Sequence, residues 1–202
     1  KRKLKIDNLY LEFFRLKILG GSFGSQPMYS ENKEWLIAFN GEIYNYKELA
    51  YFMKRKDLIN SGDTRVLVEF ISKYGFDKFN KVNGMFSIAL YNTIQRKIYF
   101  IRDRFGIKPL YYKISKGKIF FGSEIKSFPV KNIAFDQIDK FINSGKYPEN
   151  FFTFFQDIYE FKPGAISIFN GDGLDENIFY SLEKNISKSS SDNLEKYENV
   201  IE

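Results

Sequence analysis

The sequence predicts an α+β domain in which antiparallel sheets are layered with helices. Three observations lead there. Two stretches near residues 45 and 63 carry apolar residues at helical spacing. From Met85 onward the period shortens to that of strands broken by turn residues. The composition has 23 Phe and 14 Tyr against 5 Pro and 14 Gly in 202 residues, which favours packed strands over disorder. Helices interleaved with many short antiparallel strands make a layered α+β arrangement.

Taken in order, the apolar run Trp35 to Phe39 reads as a strand ending in Asn40-Gly41. Asn45 to Lys54 reads as a helix behind an asparagine that can cap it. A second helix follows Ser61-Gly62-Asp63-Thr64, with Asp63 or Thr64 as the cap, Val66, Leu67, Phe70 and Ile71 on one face, and Gly75 as the stop. The two helices are expected to cover one face of a sheet. Met85 to Tyr91, Lys97 to Ile101, Leu110 to Ile114 and Ile119 to Phe121 suggest two antiparallel hairpins. Glu124 to Phe128 reads as a helical turn, and Asp136 to Ile142 as a helix entered from an acidic cap and ended near Gly145. Ala165 to Phe169 and Glu176 to Tyr180 flank Asn170-Gly171-Asp172-Gly173, a hairpin signal. The Ser-rich stretch Ser187 to Asn193 reads as a linker, and Leu194 to Glu202 begins an amphipathic segment.

A chain of this length with 44% apolar residues can bury roughly 70% of its unfolded surface in one domain. No apolar run is long enough to span a bilayer, and the basic start Lys1-Arg2-Lys3 has no apolar segment behind it as a signal peptide would. A cytoplasmic location without membrane contact is the expectation. The net charge of +6 comes from 31 basic residues dispersed among 25 acidic ones, a solvated surface more than a nucleic-acid face. With no Cys and no His, disulfides, the usual zinc sites and Ser-His or Cys-His pairs are excluded within these residues.

The segment Phe39-Asn40-Gly41-Glu42-Ile43-Tyr44-Asn45 carries the most information about chemistry. Asn40 offers a side-chain N–H and Gly41 an unhindered backbone N–H, the pair of donors an oxyanion needs, with a carboxylate beside them. The plain alternative is a tight turn, because Asn-Gly is also the favoured hairpin dipeptide.

Four ordered segments carry a resemblance: Arg15-Leu16-Lys17-Ile18 with Gly24-Ser25-Gln26-Pro27-Met28; Phe39 to Tyr46; Ser61-Gly62-Asp63-Thr64; and Arg102-Asp103-Arg104-Phe105-Gly106-Ile107-Lys108-Pro109-Leu110-Tyr111-Tyr112. Together with Val82-Asn83-Gly84-Met85-Phe86 and Ser123-Glu124-Ile125-Lys126, they resemble the glutaminase domain of glutamine-hydrolysing asparagine synthetases, class II glutamine amidotransferases. The likeness runs from about Leu11 to Tyr180.

The resemblance implies an N-terminal-nucleophile hydrolase fold, a four-layer αββα sandwich of two stacked antiparallel sheets between helices, here lacking its N-terminal segment. It implies that residues 1–183 are the glutaminase domain and that 184–202 are a linker and the start of an ATP-dependent synthetase domain. That domain would activate aspartate as an acyl-adenylate and receive ammonia through an internal channel. L-Glutamine is then the ligand, and a homodimer is compatible. No metal or cofactor is expected in this domain, with ATP and Mg expected in the synthetase domain.

In such a family an N-terminal Cys thiolate attacks the glutamine amide while its α-amino group relays the proton. Asn40 and Gly41 match the oxyanion hole. Arg15 matches the carboxylate clamp, where a planar guanidinium binds both oxygens. The backbone of Leu16, Lys17, Ile18 and Leu19 would line the same pocket, and Glu42 and Asp63 would receive the ammonium. A helix cap is the plain alternative for Asp63, and a surface ion pair for Arg15. The segment 102–112 reads as structural and interfacial, near the synthetase domain in the family, and the aromatics at 105–112 and 151–155 as core. One departure stands out: no Cys is present, and Lys1 is no substitute. Either an upstream segment supplies the nucleophile, or the domain is a non-catalytic glutamine-binding or interaction module. The acceptor, aspartate or another carboxylate, lies outside what these residues encode.

Overall fold

The computed structural model describes residues 2–13, 25–129 and 132–182. The chain opens with a hairpin of β1 (Arg2–Ile6) and β2 (Leu9–Phe13), turned at Asp7 with φ 48°. This hairpin is absent from the sequence-based expectation. Next come β3 (Met28–Tyr29), β4 (Trp35–Ile43), α1 (Tyr46–Phe52) and α2 (Asp63–Tyr74). They are followed by β5 (Gly84–Asn92), β6 (Lys97–Arg102), β7 (Tyr111–Ser115) and β8 (Lys118–Gly122). The last elements are α3 (Phe135–Ser144), β9 (Tyr159–Glu160), β10 (Ala165–Phe169) and β11 (Leu174–Ile178).

A six-stranded antiparallel sheet of order β11-β10-β6-β5-β4-β3 forms the centre, and a three-stranded sheet of order β8-β7-β9 stacks on it. Strand alternation sorts the side chains between the two faces. Trp35, Ile37, Phe39 and Ile43 of β4, with Phe86, Ile88 and Leu90 of β5, pack under Leu49 and Ala50 of α1 and Val66, Leu67, Phe70 and Ile71 of α2. Ala38, Ala89 and Phe100 face the other way, against Leu110, Tyr112, Phe121 and Phe161 of the second sheet region. The β1–β2 hairpin adds Leu4, Ile6, Leu9 and Leu11 against Leu36, Tyr91 and Phe121. Each large side chain buried this way contributes about 1.5–3 kcal/mol, so the two faces together hold the layers in place. α3 packs Phe141 on Tyr147 and Phe154, beside the segment that pairs into the three-stranded sheet through β9.

The expected helices covering one sheet face and the two expected hairpins are present. Several local readings change. The strand predicted to stop at Phe39 continues to Ile43, so Asn40-Gly41 is extended backbone paired with Ser87 and Phe86 and not a turn. Asn45 occupies the N-cap position of α1 without capping it. Its side chain instead donates to Lys81 O (2.9 Å) and accepts from Asn83 N–H (3.0 Å), fastening the helix entry to the start of β5. The N-cap of α2 is Gly62, with Asp63 as the first helical residue. The N-cap of α3 is Ala134, so the acidic cap expected at Asp136 is a first-turn carboxylate instead. The final strand is Leu174–Ile178, shifted toward the turn. Phe105 and Ile107 are 62% and 58% exposed, and Phe151 and Phe152 are also solvent-facing, so these aromatic stretches are only partly core. The linker and amphipathic segment read at 187–202 lie outside the described residues.

The charged corner after β6 is an internal hub. Asp103, 1% exposed, accepts N–H groups of Phe105 and Ile107 on Oδ1 (3.1 and 3.0 Å) and of Phe86 and Lys108 on Oδ2 (3.1 and 3.0 Å). Arg102 donates to the carbonyls of Gly106, Lys108 and Phe161 and to Glu160 Oε2. The pair therefore fixes the loop between the two sheets and holds Phe105 and Ile107 outward.

Candidate functional site

β4 runs out beyond the end of β3, and this leaves one of its edges open. β3 pairs only with Leu36 and Ile37, while β5 pairs along the whole of β4. Phe86 sends its N–H to Asp103 Oδ2 and accepts Asp103 N–H on its carbonyl, away from β4. Its partner Gly41 is thus in a non-hydrogen-bonded pair, and the N–H groups of Phe39, Gly41 and Ile43 point to the open edge. Phe39 N–H is taken by Gln26 Oε1 (2.6 Å) and Ile43 N–H by Asp63 Oδ2 (3.2 Å). Gly41 N–H, between them, has no partner among the described residues.

Glycine is required at this point. Gly41 has φ 144°, and a Cβ there would stand 2.0 Å from the carbonyl oxygen of Met85. A side chain would force β4 off β5 or move the N–H away from the edge.

Asn40 and Glu42 alternate onto the face away from the helices and are both exposed, and no hydrogen bond occupies either side chain among the described residues. Asp63 sits at the start of α2, where its carboxylate also accepts Thr64 N–H (2.7 Å) and Thr64 Oγ1–H (3.3 Å). Its bonds to Ile43 and Thr64 tie helix to strand without capping the helix. A carboxylate in the first turn is favourable against the helix dipole.

Asn40, Gly41, Glu42 and Asp63 line one cleft, together with Gln26, Thr64 and Tyr46. The cleft is open and about 2140 Å³ in volume, running on past Met85 to Phe121 and Ser123. Small-molecule sites usually measure ~300–1,000 Å³, so an amino acid would fill only one end. That end is lined by Asn40, Gly41, Glu42 and Asp63, a set of N–H donors and carboxylates chemically suited to an oxyanion and an ammonium group. Arg15, Leu16, Lys17, Ile18 and Leu19 lie outside the described residues. In the sequence Gln26 stands only within a motif, and Thr64 only within a motif and as an alternative helix cap. Their contacts with β4 and α2 depend on tertiary pairing that no local pattern reports.

Over residues 3–180 the chain matches a family model described as a glutamine amidotransferase domain. The chain belongs to this family. Among curated relatives, the amidotransferase chain is 41% identical over 115 residues to asparagine synthetase [glutamine-hydrolyzing] 2 of Bacillus subtilis (strain 168), covering 57% of this chain and 15% of that protein. It is 34% identical over 122 residues to asparagine synthetase [glutamine-hydrolyzing] of Zea mays, covering 60% and 21%. The chain therefore spans about a fifth or less of the length of these relatives. Among solved structures, the B. subtilis glutamine phosphoribosylpyrophosphate amidotransferase complexed with ADP and GMP superposes with a TM-score of 0.55 at 20% identity, over 79% of this chain and 33% of that one. That likeness shows the fold alone, the α+β architecture that the two chains share. Among the described residues, no helix is long and apolar enough to cross a membrane.

Proposed function

We propose that this amidotransferase domain binds L-glutamine at the open edge of β4 and serves a glutaminase reaction that feeds ammonia to an ATP-dependent amide ligase of asparagine-synthetase type. The observation that carries the reading is the unpartnered Gly41 N–H beside Asn40, in one cleft with Glu42 and Asp63. Arg15 would bind the substrate carboxylate, with the backbone of Leu16 to Leu19 alongside, and Glu42 and Asp63 would receive the ammonium.

In the reaction, a thiolate attacks the side-chain amide carbon of glutamine, and the carbonyl oxygen takes the negative charge. Asn40 Nδ2–H and Gly41 N–H hold that oxygen. When the tetrahedral species collapses, the C–N bond breaks and the nitrogen leaves as ammonia after taking a proton. Water then cleaves the thioester to give glutamate. The 202 residues contain no cysteine, so the thiolate is assigned to an N-terminal Cys outside them. Residues 1–183 would be the glutaminase unit, and 184–202 would lead into a synthetase domain using ATP and Mg, in line with the greater length of the relatives. The exposed Phe105 and Ile107, held outward by Asp103, suit a face against that domain. Aspartate is the acceptor suggested by the relatives' names, and another carboxylate would need only a different synthetase domain.

The test is ammonia release from glutamine by the full-length protein. Asn40→Ala should lower kcat by roughly 10²- to 10³-fold, as loss of one oxyanion donor does. A full-length gene with no Cys directly after the initiator Met would end the catalytic reading. Binding of glutamine without release of ammonia by the full-length protein would instead mark a non-catalytic glutamine-binding or interaction module.

A further inference from the structure

The register of β3 on β4, with Met28 opposite Ile37, would set residue 26 opposite Phe39 if the strand continued. Residue 27 is proline, which has no N–H to give to a ladder, and β3 stops at Met28. The Gln26 side chain takes over the pairing: its Oε1 accepts Phe39 N–H at 2.6 Å. Its Nε2 donates to Thr64 Oγ1 at 3.4 Å, Thr64 Oγ1 donates to Asp63 Oδ1 at 3.3 Å, and Asp63 Oδ2 accepts Ile43 N–H at 3.2 Å. One hydroxyl can donate once and accept as well, so the Thr64 step is consistent in both directions. These side chains form a bracket from residue 39 to residue 43 of β4 that passes around Gly41.

We infer that Gln26 is a positioning residue of this site: by bracketing β4 to the N-terminus of α2, it keeps Gly41 N–H directed at the cleft and fixes its relation to the Asp63 carboxylate. The inference rests on the glutamine-site reading above. Phe39 is 4% exposed, so without Gln26 its N–H would be an orphan shielded from water, which native structures avoid. The strand edge would relieve this by rotating toward a new acceptor, and Gly41 lies two residues along the same edge. An oxyanion donor is useful only when aimed in advance.

Amide hydrogen exchange and glutamine calorimetry on the 202-residue chain test this together. In ligand-free protein, Gln26→Met should speed exchange at Phe39 about tenfold while leaving Leu90 and Ile101 unchanged. Gln26→Glu, which keeps an acceptor for Phe39 N–H, should restore protection. Gln26→Met should also weaken glutamine binding about tenfold. Wild-type exchange at Phe39 with wild-type affinity in Gln26→Met would overturn the inference. So would faster exchange spread evenly over α2 and β5, which marks a loss of global stability. If the wild-type chain binds no glutamine, the function reading fails, and exchange at Phe39 still decides for or against the bracket.

Discussion

Ile43 N–H donates to Asp63 Oδ2 at 3.2 Å, so the end of β4 and the first turn of α2 share one carboxylate. The same group faces the cleft that holds Asn40 and Glu42. Asp63 is therefore both a clip between two elements and a charge available to a ligand. Asp63→Ala should cost about 1–2 kcal/mol of stability, the range for removing a polar group that serves backbone donors. Asp63→Asn keeps an acceptor and should lose less. Urea denaturation separates the two, and glutamine calorimetry should show weakened binding in both, because both remove the charge.

Gly41→Ala tests the close approach of β4 and β5. A methyl group 2.0 Å from Met85 O must push backbone, with a cost of about 2–3 kcal/mol. The thermal midpoint should fall accordingly. A glycine dispensable in both stability and glutamine binding would remove the argument for its N–H.

Asp103→Ala leaves four backbone N–H groups without their acceptor in a buried corner. We expect a loss of about 3–5 kcal/mol, measured by urea denaturation. Phe105→Ser, on the exposed loop that Asp103 organises, should change the stability of this chain by less than about 0.5 kcal/mol.

Alkaline pH should destabilise the fold through four tyrosines, Tyr111 and Tyr112 among them, whose hydroxyls burial raises. Burial raises the Tyr99 hydroxyl above its ordinary value of 10.0. Burial, then the bond to Asp7, does the same for Tyr91. As pH rises past 10.0 the unfolded chain loses these protons first, so the folded state binds more protons and stability falls with pH. Below that value the contribution is complete. Urea midpoints from pH 8 upward should be level and then drop, and Tyr99→Phe should flatten the drop.

How much of this was legible in the sequence depends on whether the cause was local. α2 was readable because Val66, Leu67, Phe70 and Ile71 repeat at helical spacing and Gly75 follows with φ 58°. The β5–β6 hairpin was readable from alternation around a polar turn. Asn40-Gly41 was not, because the dipeptide favours a turn, and what keeps it extended is pairing with Ser87 and Phe86, more than forty residues away in sequence. The β1–β2 hairpin did leave a signal, since Leu4 and Ile6 alternate with Lys3 and Lys5 ahead of Asp7-Asn8, but the basic residues dominated the reading. The segment around Asp103 reads as structural and interfacial, but nothing in its neighbours shows that four N–H groups converge on its carboxylate. Of the proposed site, Asn40, Gly41 and both carboxylates were legible from motifs, while the part played by Gln26 emerged only from the register of β3.

The most direct test of the account is titration of L-glutamine into the 202-residue chain by calorimetry, with Glu42→Gln and Asp63→Asn in parallel. The account predicts millimolar or tighter binding by the wild type, a Kd at or below roughly 1 mM, or about −4 kcal/mol, and weaker binding by each variant. A folded chain that takes up no glutamine, or binds it equally well without either carboxylate, would contradict the proposed site.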